Sequence, residues 1–277
     1  MNGEKPSRRA AGESLLMWHG ADAGFRAARE PGEVRVIDSW LVDDGRVRAF
    51  GAHERRFGAA IGTLAGIDRE RTREFLLAAM ARVPAGGRWF PRVELADVAG
   101  SPRLRLRIRP APPQGHSVRL WVSPSPDARA NPEVKGSGLD WLSAQREAAV
   151  AAGADEAVLL DADGRVLEGT ATSILWWHGD TLCAPPEDGR LLPGITRELL
   201  LDAADAAGVP VSFRAPLLAE LDGLEVWAVN ALHGIRPATA WVGTGIAAGP
   251  ALRALRWQVY LDGLGREVRP GPAEAVP

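Results

Sequence analysis

The sequence predicts an α+β protein in two parts, a small N-terminal domain of mixed helices and strands and a larger β-rich one after it. Three observations carry that prediction. Alternating apolar and polar runs, the pattern of half-buried strands, recur from Val34 to Val229. Helical stretches are interspersed among them. A segment rich in Pro, Ser and Asp, residues 123–132, reads as a boundary between the two parts.

Residues 1–30 are Gly-, Ala- and Arg-rich without periodicity and read as a partly ordered extension; the small domain is expected over 31–124. Residues 34–38 alternate as a strand, and the Asp43-Asp44-Gly45 turn leads to residues 45–50 as the other arm of a hairpin. Helices follow at 53–64 and 68–82, the second with Asp68 as N-cap and Phe75, Leu76, Leu77 and Met80 on its apolar side. Strands are expected at 89–95, 104–108 and 118–122. A linker at 125–134 leads to the large domain, 135–277, which opens with a helix at 139–152. Two hairpins come next, 157–160 with 165–168 and 174–177 with 181–183. A helix from just after Pro193-Gly194 to about residue 207, strands at 209–213 and 225–229, and a helix at 251–261 complete the chain.

Composition narrows the function. The 277 residues, 46% hydrophobic and 25% charged, have the proportions of a soluble globular protein. Cys183 is the only cysteine, which excludes an internal disulfide and zinc sites built on paired cysteines. A net charge of −2 gives no global basic field for nucleic acid. No apolar run approaches the ~20 residues of a membrane helix, and the polar N-terminus lacks a secretory core, so the expected location is cytoplasmic. Of 33 basic residues only Lys5 and Lys135 are lysines, leaving 33 − 2 = 31 arginines. Arg stays protonated, whereas Lys can lose its proton and act as a nucleophilic amine. Lys5 belongs to the N-terminal tail, which leaves Lys135 as the candidate catalytic lysine.

Three further segments could carry chemistry. Glu168 follows inward-pointing Val166 along a strand, where a carboxylate can hold a ring nitrogen protonated; an exposed strand-end glutamate is the plain alternative. Leu192-Pro193-Gly194-Ile195-Thr196-Arg197 runs from a turn into a helix whose first amides would make an anion site, or simply a capped helix. Asn230-Ala231-Leu232-His233-Gly234-Ile235-Arg236-Pro237 is a glycine-bearing turn that could form a second phosphate cradle. His233 within it reads as a ligand or an acid/base group, with a surface residue or a structural hydrogen bonder as the plainer reading of a lone loop histidine. No metal-ligand cluster, nucleophile elbow or Walker or dinucleotide glycine pattern is present.

In that order, Lys135, Glu168, Gly194-Ile195-Thr196 and Asn230-Ala231-Leu232 resemble the class IV aminotransferase family of pyridoxal-phosphate enzymes, which includes branched-chain and D-amino-acid aminotransferases and 4-amino-4-deoxychorismate lyase. The resemblance implies the two-domain D-amino-acid aminotransferase-like fold, a pyridoxal 5'-phosphate cofactor and a homodimer. Lys135 would then be the Schiff-base lysine and Glu168 the partner of the pyridinium nitrogen. Ile195 and Thr196 would bind the phosphate, with Arg56 reaching it from the first domain and Ala231 and Leu232 forming the second phosphate loop. Four departures accompany the match. Ala231 stands where the family has Ser or Thr, and Ser173 and Leu175 replace an Asn and an aromatic. The Asn after the lysine is missing, and Asp38-Ser39-Trp40-Leu41 replaces Glu-Thr-x-Arg. Within the family the 230–237 turn looks most like the lyase branch, and Ser39 aligns with a threonine that branch uses near the substrate. The alternatives are an aminotransferase acting on branched-chain or D-amino acids, and a catalytically silent member with a binding role.

Overall fold

The computed structural model describes residues 14–268. Lys5 and residues 269–277 lie outside them. The first half of the chain holds β1 (Ser14–Trp18), β2 (Phe25–Ala27), β3 (Glu33–Ser39), β4 (Val42–Asp43) and β5 (Arg46–Val47). Helices α1 (Phe50–Ala65) and α2 (Arg69–Arg82) follow, then β6 (Arg88–Trp89), β7 (Arg92–Val98) and β8 (Ser101–Ile108). The second half begins with β9 (Val118–Val122), α3 (Leu139–Ala151), β10 (Glu156–Leu160) and β11 (Val166–Gly169). It continues through β12 (Ser173–His178), β13 (Thr181–Ala184), α4 (Ile195–Ala206), β14 (Val211–Phe213) and a 3₁₀ turn at Leu218–Leu221. The last elements are β15 (Val226–Asn230), β16 (Gly234–Val242), α5 (Ala254–Asp262) and β17 (Arg266–Glu267).

The fold is α+β. One sheet runs β2-β1-β8-β7-β3 and is covered by α1 and α2. Its core joins Trp18, Trp40, Phe57, Phe75 and Leu106. Asp68 caps α2, its side chain accepting from the Arg71 amide. The larger sheet runs β11-β10-β9-β16-β15-β12-β13-β14, and its central strands β15 and β12 are buried on both faces. Strand β12 shows why: Ile174 and Trp176 pack into one cluster, while Leu175 and Trp177 enter another under α4 and α5. A small sheet, β17-β5-β4-β6, brings β17 back onto the first half.

Three sequence expectations differ from the observed pairing. The stretch 34–38 does not form a hairpin with 45–50. Strand β3 pairs with β7 instead, the Asp43-Asp44-Gly45 turn closes only the short β4–β5 hairpin, and Phe50 already opens α1. The extension expected through residue 30 contains β1 and β2, because Leu16 registers against Leu106 of β8 and the Trp18 ring packs on Phe75. Finally, β9 lies before the expected linker at 125–134 but pairs with β10 and β16 of the large sheet. The crossing between the sheets therefore falls between β8 and β9.

Candidate active site

A cavity of about 470 Å³ opens where β3 and α1 face the large sheet. Lys135 lines it from a turn in which the Val134 amide donates to the Asn131 carbonyl and the Ser137 amide to the Val134 carbonyl. That turn runs along the free edge of β3, where the Ile37 amide donates to the Lys135 carbonyl at 2.7 Å. The approach requires glycine next door: at Gly136 φ is +130°, and a Cβ would sit 2.7 Å from the Arg35 carbonyl oxygen. Burial, with repulsion from Arg56 next, pulls the Lys135 amine down to about 8, against the attraction of Asp38 and Glu168. The amine stays mostly protonated near neutral pH, but its neutral fraction is far above that of an ordinary lysine.

Arg56 projects from α1 into a closed network. Its Nε and Nη2 donate to Asp38 at 3.0 and 2.8 Å, and its Nη1 reaches across to the Pro193 carbonyl at 2.8 Å, one residue before the Gly194 turn. Asp38 also accepts from the Ser39 amide and from His53 Nδ1, which carries the proton because a carboxylate only accepts. Burial opposes the charge on Asp38, but Arg56 and His53 together hold it well below the usual carboxylate range. Burial also pushes His53 down, toward the neutral ring. Ser39 follows Asp38 on β3 and lines the cavity.

Glu168 ends β11 on the opposite wall. Its Oε1 accepts from Arg129 Nη2 at 2.7 Å and from the Leu192 amide at 3.2 Å, and Oε2 has no hydrogen bond among the described residues. Burial pushes its carboxyl up, against the pull of Arg129. Arg129 is held in turn by Asp127, and its side chain fills the space beside Gly138, where a Cβ would meet it at 2.8 Å.

Helix α4 starts at Gly194 with no side-chain cap, so its first amides have no partner from that end. A Cβ on Gly194 would collide with Ser173 Oγ at 2.2 Å, which explains the glycine and places Ser173 beneath the turn. Ile195 and Thr196 line the cavity at this helix start. The open amides and the positive helix end make an anion cradle. Ala231 and Leu232 border the same cavity, but Asn230 Oδ1 accepts from the Leu232 and His233 amides at 3.1 and 2.8 Å. Leu232, expected to contribute its amide to the second loop, therefore has that amide engaged, and the turn offers the Ala231 amide. His233 Nδ1 accepts from the Gly115 amide at 3.0 Å and, with its pKa pulled down to about 4 chiefly by burial, is a neutral structural hydrogen bonder.

The sequence reading missed Asp38 as the partner of Arg56 and His53 as a further donor to Asp38, and it missed Arg129. Asp38 carries a signal, since it shares a strand face with buried Val36. Arg129 carries none, because it sits in a stretch whose composition reads only as linker. Among the described residues no helix is long and apolar enough to cross a membrane, and no cluster of His, Cys, Asp and Glu could hold a metal ion.

Comparison with known proteins gives a family and a fold. Residues 35–241, well over half the chain, match the family model described as amino-transferase class IV. Two curated proteins are similar over shorter stretches. The aminodeoxychorismate lyase of Bacillus subtilis is 32% identical over 104 residues, 36% of each chain. A probable branched-chain-amino-acid aminotransferase of Rickettsia felis is 32% identical over 94 residues, 34% of this chain and 32% of that one. The chain spans about a third of the length of these curated relatives. Among solved structures, a hypothetical aminotransferase from Mycobacterium tuberculosis in its PLP-bound form superposes with a TM-score of 0.74 at 18% identity, covering 91% of this chain and 98% of that one. That likeness shows the fold.

Proposed function

The chain belongs to the class IV aminotransferase family, and from that premise we propose that it is a pyridoxal-phosphate enzyme whose reaction converts aminodeoxychorismate to 4-aminobenzoate and pyruvate. One observation carries the cofactor reading: the only lysine among the described residues has its amine pKa lowered to about 8 in a cavity that also presents an anion cradle and a half-satisfied carboxylate. The residues fit the group. The open start of α4 suits its phosphate, Glu168 Oε2 suits a protonated ring nitrogen, and Lys135 Nζ suits its carbonyl.

When bound, pyridoxal phosphate supplies a carbonyl that amines add to and a ring that draws electrons from the substrate's α-carbon. This chain's own residues do the rest. Lys135 would hold the cofactor and, with its pKa lowered toward neutrality, would take and return protons at substrate carbon. Glu168 orients and charges the ring nitrogen. Arg56, clamped by Asp38, pins the Pro193-Gly194 turn so that the Ile195 and Thr196 amides stay aimed at the phosphate.

The Bacillus relative and the place of Ser39 on the cavity wall support the lyase reading. The Rickettsia relative supports transamination of branched-chain amino acids as the second, with D-amino acids kept as the other substrate class the resemblance implies. We take the working protein to be a cytoplasmic homodimer, which sedimentation of the active enzyme tests. The decisive assay offers cofactor-loaded protein aminodeoxychorismate alone, then L- and D-amino acids with 2-oxoglutarate or pyruvate. Formation of 4-aminobenzoate without any acceptor supports the lyase; turnover only with an acceptor replaces it by the transaminase.

A further inference from the structure

Arg48 lies between the anion cradle and α5. Its Nη2 donates to the Ala231 carbonyl at 3.2 Å, and its Nη1 stands 3.6 Å from Asp262 Oδ1. That Nη1 is shielded from solvent, yet it makes no hydrogen bond among the described residues. A guanidinium N–H left in this state is unfavourable unless a ligand or an ordered water completes it. Arg48 also borders a second, small cavity of about 10 Å³, shared with Trp40 and His53 and, from the cradle, with Ile195, Thr196 and Ala231. This is space for about one water molecule. Thr196 Oγ1, on the same cavity, makes no hydrogen bond among the described residues either.

Charge points the same way. Arg56 is balanced by Asp38, so it brings little net positive charge to an anion in the cradle. Arg48 meets its carboxylate only at 3.6 Å, and that aspartate side chain is 63% exposed, where solvent weakens the pair. The second loop of the cradle also lacks a hydroxyl, since Ala231 occupies the position where the family it resembles has Ser or Thr.

We propose that Arg48 is a positioning residue that replaces that hydroxyl, fixing the Ala231 carbonyl and completing the coordination of a bound phosphate through one water in the small cavity. The inference rests on the pyridoxal-phosphate reading above. It differs from a plain strut between the 230–233 turn and α5, because a strut has no preference for a phosphate.

The test measures binding of pyridoxal phosphate and of pyridoxal, which lacks the phosphate, to the apoprotein by visible absorption, alongside thermal melts. Arg48→Met is expected to weaken pyridoxal phosphate about tenfold, the scale of one charge-assisted hydrogen bond, and to leave pyridoxal unchanged. Adding Ala231→Ser to that variant is expected to recover most of the loss. Inorganic phosphate should compete with pyridoxal phosphate less well in Arg48→Met than in the unaltered protein. If Arg48→Met does not fold, Arg48→Gln is expected to lower the same ratio of affinities. An unchanged ratio, or equal loss of both ligands together with a lower melting temperature, overturns the proposal in favour of a strut. Failure of the unaltered protein to bind either aldehyde instead overturns the cofactor reading, and this inference with it.

Discussion

Asp38 and Glu168 are both buried carboxylates beside the same cavity, and each is gripped by an arginine. Their coordination separates them. Asp38 accepts four hydrogen bonds over its two oxygens, from the Ser39 amide, His53 and Arg56 twice. Glu168 takes both of its hydrogen bonds on Oε1. The first group is saturated and holds the frame that aims Arg56; the second has capacity left for a ligand. The number of satisfied lone pairs, rather than burial or the identity of the cation, distinguishes a carboxylate that builds a site from one that works in it.

The largest expected effect tests the residue between them. Lys135→Ala should lower turnover by about a thousandfold or more and abolish the visible band of bound cofactor. Full activity in that variant removes the whole reading.

Next come the two carboxylates, with opposite signatures. Asp38→Asn leaves Arg56 without its counter-charge and should cost about 3–5 kcal/mol in urea unfolding. Glu168→Gln keeps the side-chain shape and should change stability by only about 1 kcal/mol while slowing turnover about a hundredfold. Equal stability losses would erase the distinction.

Their pH dependence should also run in opposite directions. Asp38 is held below its unfolded value of about 3.9, so its contribution is present above that value and is lost as pH falls toward its folded pKa. Glu168 is pushed above its unfolded value of about 4.3, so it favours the folded state more as pH falls through its raised pKa toward that value. Difference melts of Asp38→Asn and Glu168→Gln against the parent should show the two signs.

The smallest effect concerns Lys135 itself. Reductive trapping of its amine by a small aldehyde should titrate with a midpoint of about 8, and Arg56→Met should move that midpoint upward by removing the nearest repulsion. A midpoint at the ordinary lysine value in the parent protein would show that burial does not prime the amine.

Much of this molecule was legible along the chain because the signals are local. Alternation located β7 and β8, the His178-Gly179-Asp180 turn located the β12–β13 hairpin, an aspartate cap located the start of α2, and Pro193-Gly194 located the start of α4. The scarcity of lysine singled out Lys135, and the order of short motifs suggested the family that residues 35–241 match. Strand partnership was not legible, because a strand's pattern states which face is buried and not which neighbour it meets. Thus 34–38 pairs with β7 rather than across its nearest turn, and β9 crosses to the large sheet. The site divides in the same way. Residue types and order were written in the sequence; the clamp of Asp38 on Arg56, the grip of Arg129 on Glu168 and the capture of the Leu232 amide by Asn230 were decided only by folding. Arg56 and Arg129 lie 18 and 39 positions from the carboxylates they hold, and Asn230, only two positions from Leu232, closes its turn in a geometry the backbone adopts on folding. Hydrogen bonds of that kind depend on distances of a few ångströms between atoms, which tertiary packing sets and local sequence does not.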